Sequence, residues 1–225
     1  MKLFGLRFAA ILWAIAMFNT GCIGSMIEKR KAERIENDAA YRHSLGIYRV
    51  GDIYDADGKR GVVFEIDSMG NHGKIVALYE TKCRWDVHTK IVWPEYFGTA
   101  TGADSESDGM YNFRKVTVQD RWLEKYPAFA FCAEQGDGWY LPAYKEMCRL
   151  DSESDRLNPV LDSLNGDPLR GASYWTSSES SGATAWQYYA GSKHMDAPGL
   201  IPKTKRCTCV RSQLFSASSL RMCRR

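Results

Sequence analysis

The chain reads as an α+β domain, on three observations. β-Branched and aromatic runs separated by turn-forming segments fill Tyr48 to Tyr79, helical patterns follow from Asp108 onward, and three strand-like runs close the chain after Gly171. Strands, then helices, then short strands point to α+β organisation and not to a repeating βαβ sheet. The 225 residues contain no internal repeat, and seven Trp and twelve Tyr are enough aromatic surface to demand a core. Disorder is excluded for most of the chain.

The first element is an export signal. Lys2 and Arg7 give a basic start, Phe8 to Phe18 is an unbroken apolar run of 11 residues, and NTGC ends at Cys22. A bilayer-spanning helix needs roughly 20 residues, so this run reads as a processed leader and not as a membrane span. It resembles a bacterial lipoprotein signal over 1–21, with lipidation at Cys22; Asn19 stands where leucine is usual. An ordinary cleaved secretory signal is the alternative. Loss of residues 1–21 removes two bases and no acid, leaving 28 basic against 27 acidic residues from the 30 and 27 of the whole chain. With no basic stripe, nucleic acid is not an expected partner.

Residues 22–45 carry both charge signs, helix formers and few apolar residues. They read as a helical spacer, either a stalk that lifts the domain off a membrane or a solvated helix packed on the domain. Gly61 to Ile66 and Lys74 to Tyr79 form an antiparallel hairpin, with His72 solvated in its turn. In GTATGADSESDG the acids Asp104, Glu106 and Asp108 alternate, but the spaced glycine and terminal glutamate of an EF-hand are missing. The segment reads as a loop whose Asp108 caps a helix running toward Val116. A second helix covers Asp120 to Glu134, bent at Pro127, and a third runs from Pro142 to Leu150. An acidic, irregular stretch continues to Gly171, and then come ASYWTSS, TAWQYYAG and RCTCVRSQL as three strands.

In GDGWYLPAYKEM, Gly136 and Gly138 permit a turn, Trp139 and Leu141 enter the core by alternation, and Pro142 sets the chain direction as the helix begins. Glu146 near that helix start compensates the helix dipole and is not read as a general acid.

The ordered motifs WYLPAYKEM, YWTSSES, AWQYYAG and CVRS resemble those of the bacterial C-type-lectin-like domain family. That family occurs at the C-terminus of Legionella collagen-like proteins and in envelope proteins of Fibrobacter and Bacteroidota. The resemblance covers about residues 46–213 and leaves 214–225 as a mobile tail. It implies a C-type-lectin-like fold of short antiparallel strands with two or three helices, preceded by a hairpin, with Trp139, Trp175 and Trp186 in the core. Ala143 stands where many members carry a capping threonine, a loss usually near 1 kcal/mol, and Met147 replaces the usual leucine. The resemblance also implies a Cys132–Cys209 disulfide, which an exported chain permits. Cys207 lies two residues from Cys209, so both face one side of a strand and are poorly placed to bond each other. It is left to meet Cys148 or Cys223, or to stay a free thiol.

No metalloprotease, nucleophile-elbow, P-loop or dinucleotide motif is present. Cys83 and His88 in CRWDVH are two metal-type ligands without a second pair, so no metal or other cofactor is expected. Formylglycine-generating oxygenases share the lectin-like architecture and use a copper-binding cysteine pair, but the Cys207–Cys209 spacing is unlike theirs. The calcium–sugar motifs of animal C-type lectins are absent. The expectation is therefore a non-enzymatic envelope module, at the outer membrane or cell surface, held to the membrane by its lipid alone. It grips a glycan or an envelope protein without calcium, or is a structural assembly component. The residues proposed for contact are Gln187, Tyr189, Lys193 and His194, if Trp186 is turned inward. Substituting Cys22→Ser should abolish incorporation of labelled fatty acid and move the protein from the membrane fraction to the soluble fraction.

Overall fold

The computed structural model describes residues 24–92, 95–191 and 199–217. The described residues fall into two compact units, one within 24–47 and the other within 48–217. In the first, the charged segment is helical over 24–37 (α1) and Ala39–Ser44 (α2). Asp38 caps α2 by accepting the Tyr41 N–H, and Arg34 lies over the Tyr41 ring. Among the described residues no helix is long and apolar enough to cross a membrane. Cys22 lies outside the described residues.

The second unit is α+β. It begins with β1 (Ile53–Ala56), β2 (Lys59–Ile66), β3 (His72–Val76), β4 (Thr81–Arg84), β5 (Lys90–Val92) and β6 (Glu95–Phe97). Next come α3 (Gly109–Thr117), α4 (Trp122–Lys125), α5 (Pro127–Ala133), β7 (Trp139–Tyr140), α6 (Tyr144–Ser152) and α7 (Ser154–Ser163). It ends with β8 (Ser173–Glu179), β9 (Thr184–Tyr189), β10 (Gly199–Pro202), β11 (Arg206–Cys209) and β12 (Ser212–Ser216). Among the described residues one sheet has the order β1-β2-β3-β12-β7 and another β10-β9-β8-β11-β4.

Local chemistry explains the early strands. Ala56 pairs with Lys59, so Asp57 and Gly58 alone make the turn, and both take positive φ. That is the hairpin geometry in which Asp-Gly matches the twist of the flanking strands. β2 and β3 form the expected hairpin, with a bulge between Val63 and Glu65. Gly61 is required there, because a Cβ would stand 2.4 Å from the Val76 carbonyl oxygen. The sheet curls until Tyr54 of β1 meets Phe215 of β12 at 4.4 Å between ring centroids. One face thus encloses Tyr54, Val63, Ile75, Trp139 and Phe215, and the other packs Val62, Phe64 and Val76 on α6 and α7.

Asp108 caps α3 as expected, accepting the Tyr111 N–H at 2.8 Å. Pro127 separates α4 from α5 and opens α5, where its missing N–H removes no helix bond. The stretch after Leu150 is not irregular. Leu157 and Leu161 are one turn apart and fully buried, so α7 forms around Pro159 because burial outweighs the lost bond. It ends at Asn165 with positive φ, while the Gly166 N–H returns to the Leu161 carbonyl.

RCTCVRSQL is not one strand. β11 lies between β8 and β4, and after Val210 and Arg211 the chain enters the other sheet as β12, between β3 and β7. The closing strands therefore belong to both sheets. Trp85 and Trp175 brace this crossing reciprocally: the Trp85 indole donates to the Thr176 carbonyl at 2.9 Å, and the Trp175 indole donates to the Cys83 carbonyl at 3.2 Å. Both rings are fully buried, and Trp139 is nearly so in a separate cluster. Trp186 is only half-buried, contrary to expectation.

The disulfide is Cys83–Cys209, not Cys132–Cys209. β4 is the neighbour of β11, with Cys83 opposite Cys207, which leaves Cys209 a diagonal reach to Cys83 across a Cα separation of 6.6 Å. Cys132 is a buried free thiol in the same core cluster, its Sγ turned back to the Ala128 carbonyl of its own helix. Cys207 and Cys148 are also free, and Cys223 lies outside the described residues. The bridge closes a separation of 126 residues, a loop for which chain entropy gives roughly 4–5 kcal/mol. A non-reduced peptide map should contain a linked Cys83/Cys209 pair, and Cys83→Ser should lower unfolding free energy by about 3–5 kcal/mol in denaturant titration.

Candidate functional site

The start of α6 is held by tertiary partners. Ala143 has no side-chain oxygen, so only half of a capping box exists: Glu146 accepts the Ala143 N–H at 2.8 Å. The Tyr144 N–H goes instead to Ser178 Oγ of β8, and the Lys145 N–H to the Glu106 carbonyl. Glu146 also accepts from the Gly109 N–H and the Tyr140 hydroxyl, and pairs with Lys74 at 3.0 Å. Burial works against the charge of Lys74, but Glu146 and Glu65 outweigh it and raise its pKa. This carboxylate is a structural hub, fully engaged and buried.

With α6 fixed, Tyr144, Cys148 and Asp151 follow i, i+4, i+7 spacing along one face of the helix. The facing strand β9 offers Trp186 and Tyr188 at i, i+2. The Tyr144 ring lies 5.9 Å from Trp186 and 6.0 Å from Tyr188. Asp151 accepts the Tyr188 hydroxyl at 2.9 Å and the Gly191 N–H at 3.1 Å. All five side chains are half-buried, so ring surface and polar edges meet solvent together. Burial and then Asp151 hold the Tyr188 pKa up, so its hydroxyl stays a donor. Burial likewise raises Cys148, which keeps its thiol protonated and unreactive. Rings set at an angle to one another, beside one oriented carboxylate, suit contact with a sugar or a protein surface.

The expected contact residues divide. Tyr189 is exposed at the end of β9. Gln187 does not face outward: it opposes Trp175, and its amide oxygen stands 3.9 Å from Cys207 Sγ. The inward face of β9 is already occupied by Trp175 and Trp85, so the small Ala185 fits there and Trp186 takes the α6 side. Lys193 and His194 lie outside the described residues. Tyr144, Tyr188 and Asp151 were not singled out by sequence reasoning. The i, i+4, i+7 stripe of half-polar residues on α6 was the available signal.

The other suspected sites do not assemble. Cys83 is bridged, His88 is exposed, and among the described residues no group of three or more His, Cys, Asp or Glu side chains is arranged to hold a metal ion. Cys209 is committed to Cys83, so Cys207 and Cys209 are not a free thiol pair.

No family model matches the chain, and no curated protein matches it. Its fold is similar to that of a solved fimbrial protein from Bacteroides ovatus, with a TM-score of 0.57 at 17% sequence identity. The match covers 75% of this chain and 49% of that protein, so the chain spans about half the length of the structure it resembles.

Two charge clusters stand apart from the aromatic face, one buried and one half-buried. Lys203 is fully buried, bonded to Glu179 and to the Gly182 carbonyl, with its ammonium 4.2 Å from the Trp85 ring centroid. Glu179 in turn accepts the Thr101 and Gly102 N–H groups, which fastens the loop before α3 to the end of β8. The second cluster is Glu80, beside Tyr174 and Asp167. Burial, reinforced by Asp167, pushes its pKa from 4.5 to about 7. A carboxyl raised on folding binds its proton more tightly in the folded state, so stability falls as pH rises from 4.5 to about 7 and stays lowered above that. Allowing for partial solvent screening, Glu80→Gln should stabilise the protein by about 1–2 kcal/mol above pH 8, and the gain should vanish near pH 4.5, as read by denaturant titration at both pH values.

Proposed function

We propose that this protein is a non-catalytic, calcium-independent binding module of the bacterial cell envelope, lipid-anchored at the outer membrane or cell surface, that grips a glycan or an envelope protein. The aromatic face of Trp186, Tyr144 and Tyr188, held at half-burial beside Asp151, carries the reading. A face meant only for packing would be covered, and one meant for catalysis would hold an activated nucleophile or base. The lipoprotein-like leader, the ordered motifs that resemble the bacterial C-type-lectin-like family, and a fold similar to that of a fimbrial protein support the same reading.

The likeness to a fimbrial protein also favours a second reading, in which the domain is an assembly component of an envelope structure and its contacts are with protein subunits. A screen of the purified protein against glycans and envelope proteins, with and without calcium, separates the two. A glycan hit that persists in chelator and weakens about tenfold or more in Trp186→Ala supports the binding module. A silent glycan screen with a copurifying envelope subunit supports assembly, and a calcium-dependent glycan hit defeats the calcium-independent reading.

A further inference from the structure

At the edge of the β10-β9-β8-β11-β4 sheet, Arg84 of β4 and Arg206 of β11 stand directly opposite each other in register. Directly opposed residues of an antiparallel pair point to one face, and like charges placed this way destabilise the pairing. Both guanidinium groups are exposed, and Arg206 is oriented by donating to the Lys82 carbonyl at 3.2 Å. Lys82 lies on the same face as Arg84, two residues away, and Lys205 adjoins Arg206. Among the described residues no ion pair to Arg84, Arg206, Lys82 or Lys205 is formed within 4.0 Å. The nearby Asp86 is buried and already accepts the His88 N–H and the Thr89 hydroxyl.

Between the arginines opens a cleft of about 360 Å³ lined by Cys83, Val87 and Pro127 as well as Arg84 and Arg206. Cys83 is pinned by its disulfide, and the Val87 N–H is bonded to the Lys125 carbonyl, so the apolar side of the cleft is set by bonds that need no ligand. The cleft thus joins a preformed apolar wall to two forked donors that pair with no carboxylate among the described residues. Guanidinium pairs of this kind suit the two oxygens of a carboxylate or the three of a phosphoryl group.

We propose that the Arg84–Arg206 cleft binds the anionic group of an acidic sugar, a carboxylate or a phosphoryl, whose ring rests against Val87 and Pro127. The site is separate from the Trp186 face and does not depend on the reading of that face. Binding is tested with the purified full-length protein at low ionic strength by calorimetric titration of glucuronic acid, glucose 6-phosphate, inorganic phosphate and, as the neutral control, glucose. Binding of glucuronic acid or glucose 6-phosphate, with none of glucose, is expected. Arg84→Gln and Arg206→Gln should each weaken it about tenfold or more, Arg206→Lys less, and added salt should weaken it steadily. A response to glucuronic acid alone assigns a carboxylate, and a response to glucose 6-phosphate and inorganic phosphate alone assigns a phosphoryl group. Relief of repulsion predicts that the Arg206→Gln variant melts no lower than the unsubstituted protein, so lost binding cannot be put down to misfolding. No binding of any anion, or binding unchanged in the double variant, overturns the proposal.

Discussion

The structure of the second unit depends on one constraint: its last described strands must be inserted as interior strands of two different sheets. β11 fills the gap between β4 and β8, and three residues after Cys209 the chain fills the gap between β3 and β7 as β12. Neither sheet is complete without this segment, since β4 reaches its sheet only through β11 and β7 reaches its sheet only through β12. The early hairpin is therefore tied to the last described strand by the β3–β12 ladder, five residue pairs from Ser212 to Ser216. Such pairing across more than a hundred residues makes topology, and not local propensity, the slow step expected in folding.

Buried bonds secure that insertion and the helices beside it. The indoles of Trp85 and Trp175 donate across β11 in opposite directions, and the Cys83–Cys209 bridge locks β11 to β4. Ser177 and Ser178 of β8 are fully buried, which is tolerable only because both are bonded: Ser177 accepts from Asn112, and Ser178 accepts the Tyr144 N–H and donates to the Ser105 carbonyl. One strand thus positions the loop before α3 and the first turn of α6 together. The aromatic face of Tyr144, Trp186 and Tyr188 inherits its geometry from these bonds, because they decide where α6 begins and how it crosses β9.

Local signals were legible where one short stretch of chain carries the whole cause. Asp57-Gly58 sets a two-residue turn, Asp108 caps α3, and Pro127 divides α4 from α5, each by chemistry confined to a few neighbours. Local signals misled where the cause lay across the fold. α7 was hidden by Pro159 and acidic neighbours, yet two leucines facing a sheet were enough to form it. Ala143 looked like a lost cap, but Ser178 and Glu106 take over the orphan N–H groups from elsewhere in the chain. The resemblance puts Trp186 in the core, but the volume on that side is already taken by Trp175.

The sequence by itself determined the α+β class, the early hairpin, the helix boundaries at Asp108 and Pro127, and the turn that precedes α6, because each rests on backbone preference or periodicity within a few residues. Only the tertiary structure decided which cysteine meets Cys209, that RCTCVRSQL divides between two sheets, and which face of β9 carries the aromatic cluster. Those outcomes follow from strand order and register, which bring residues far apart in the chain into competition for the same volume.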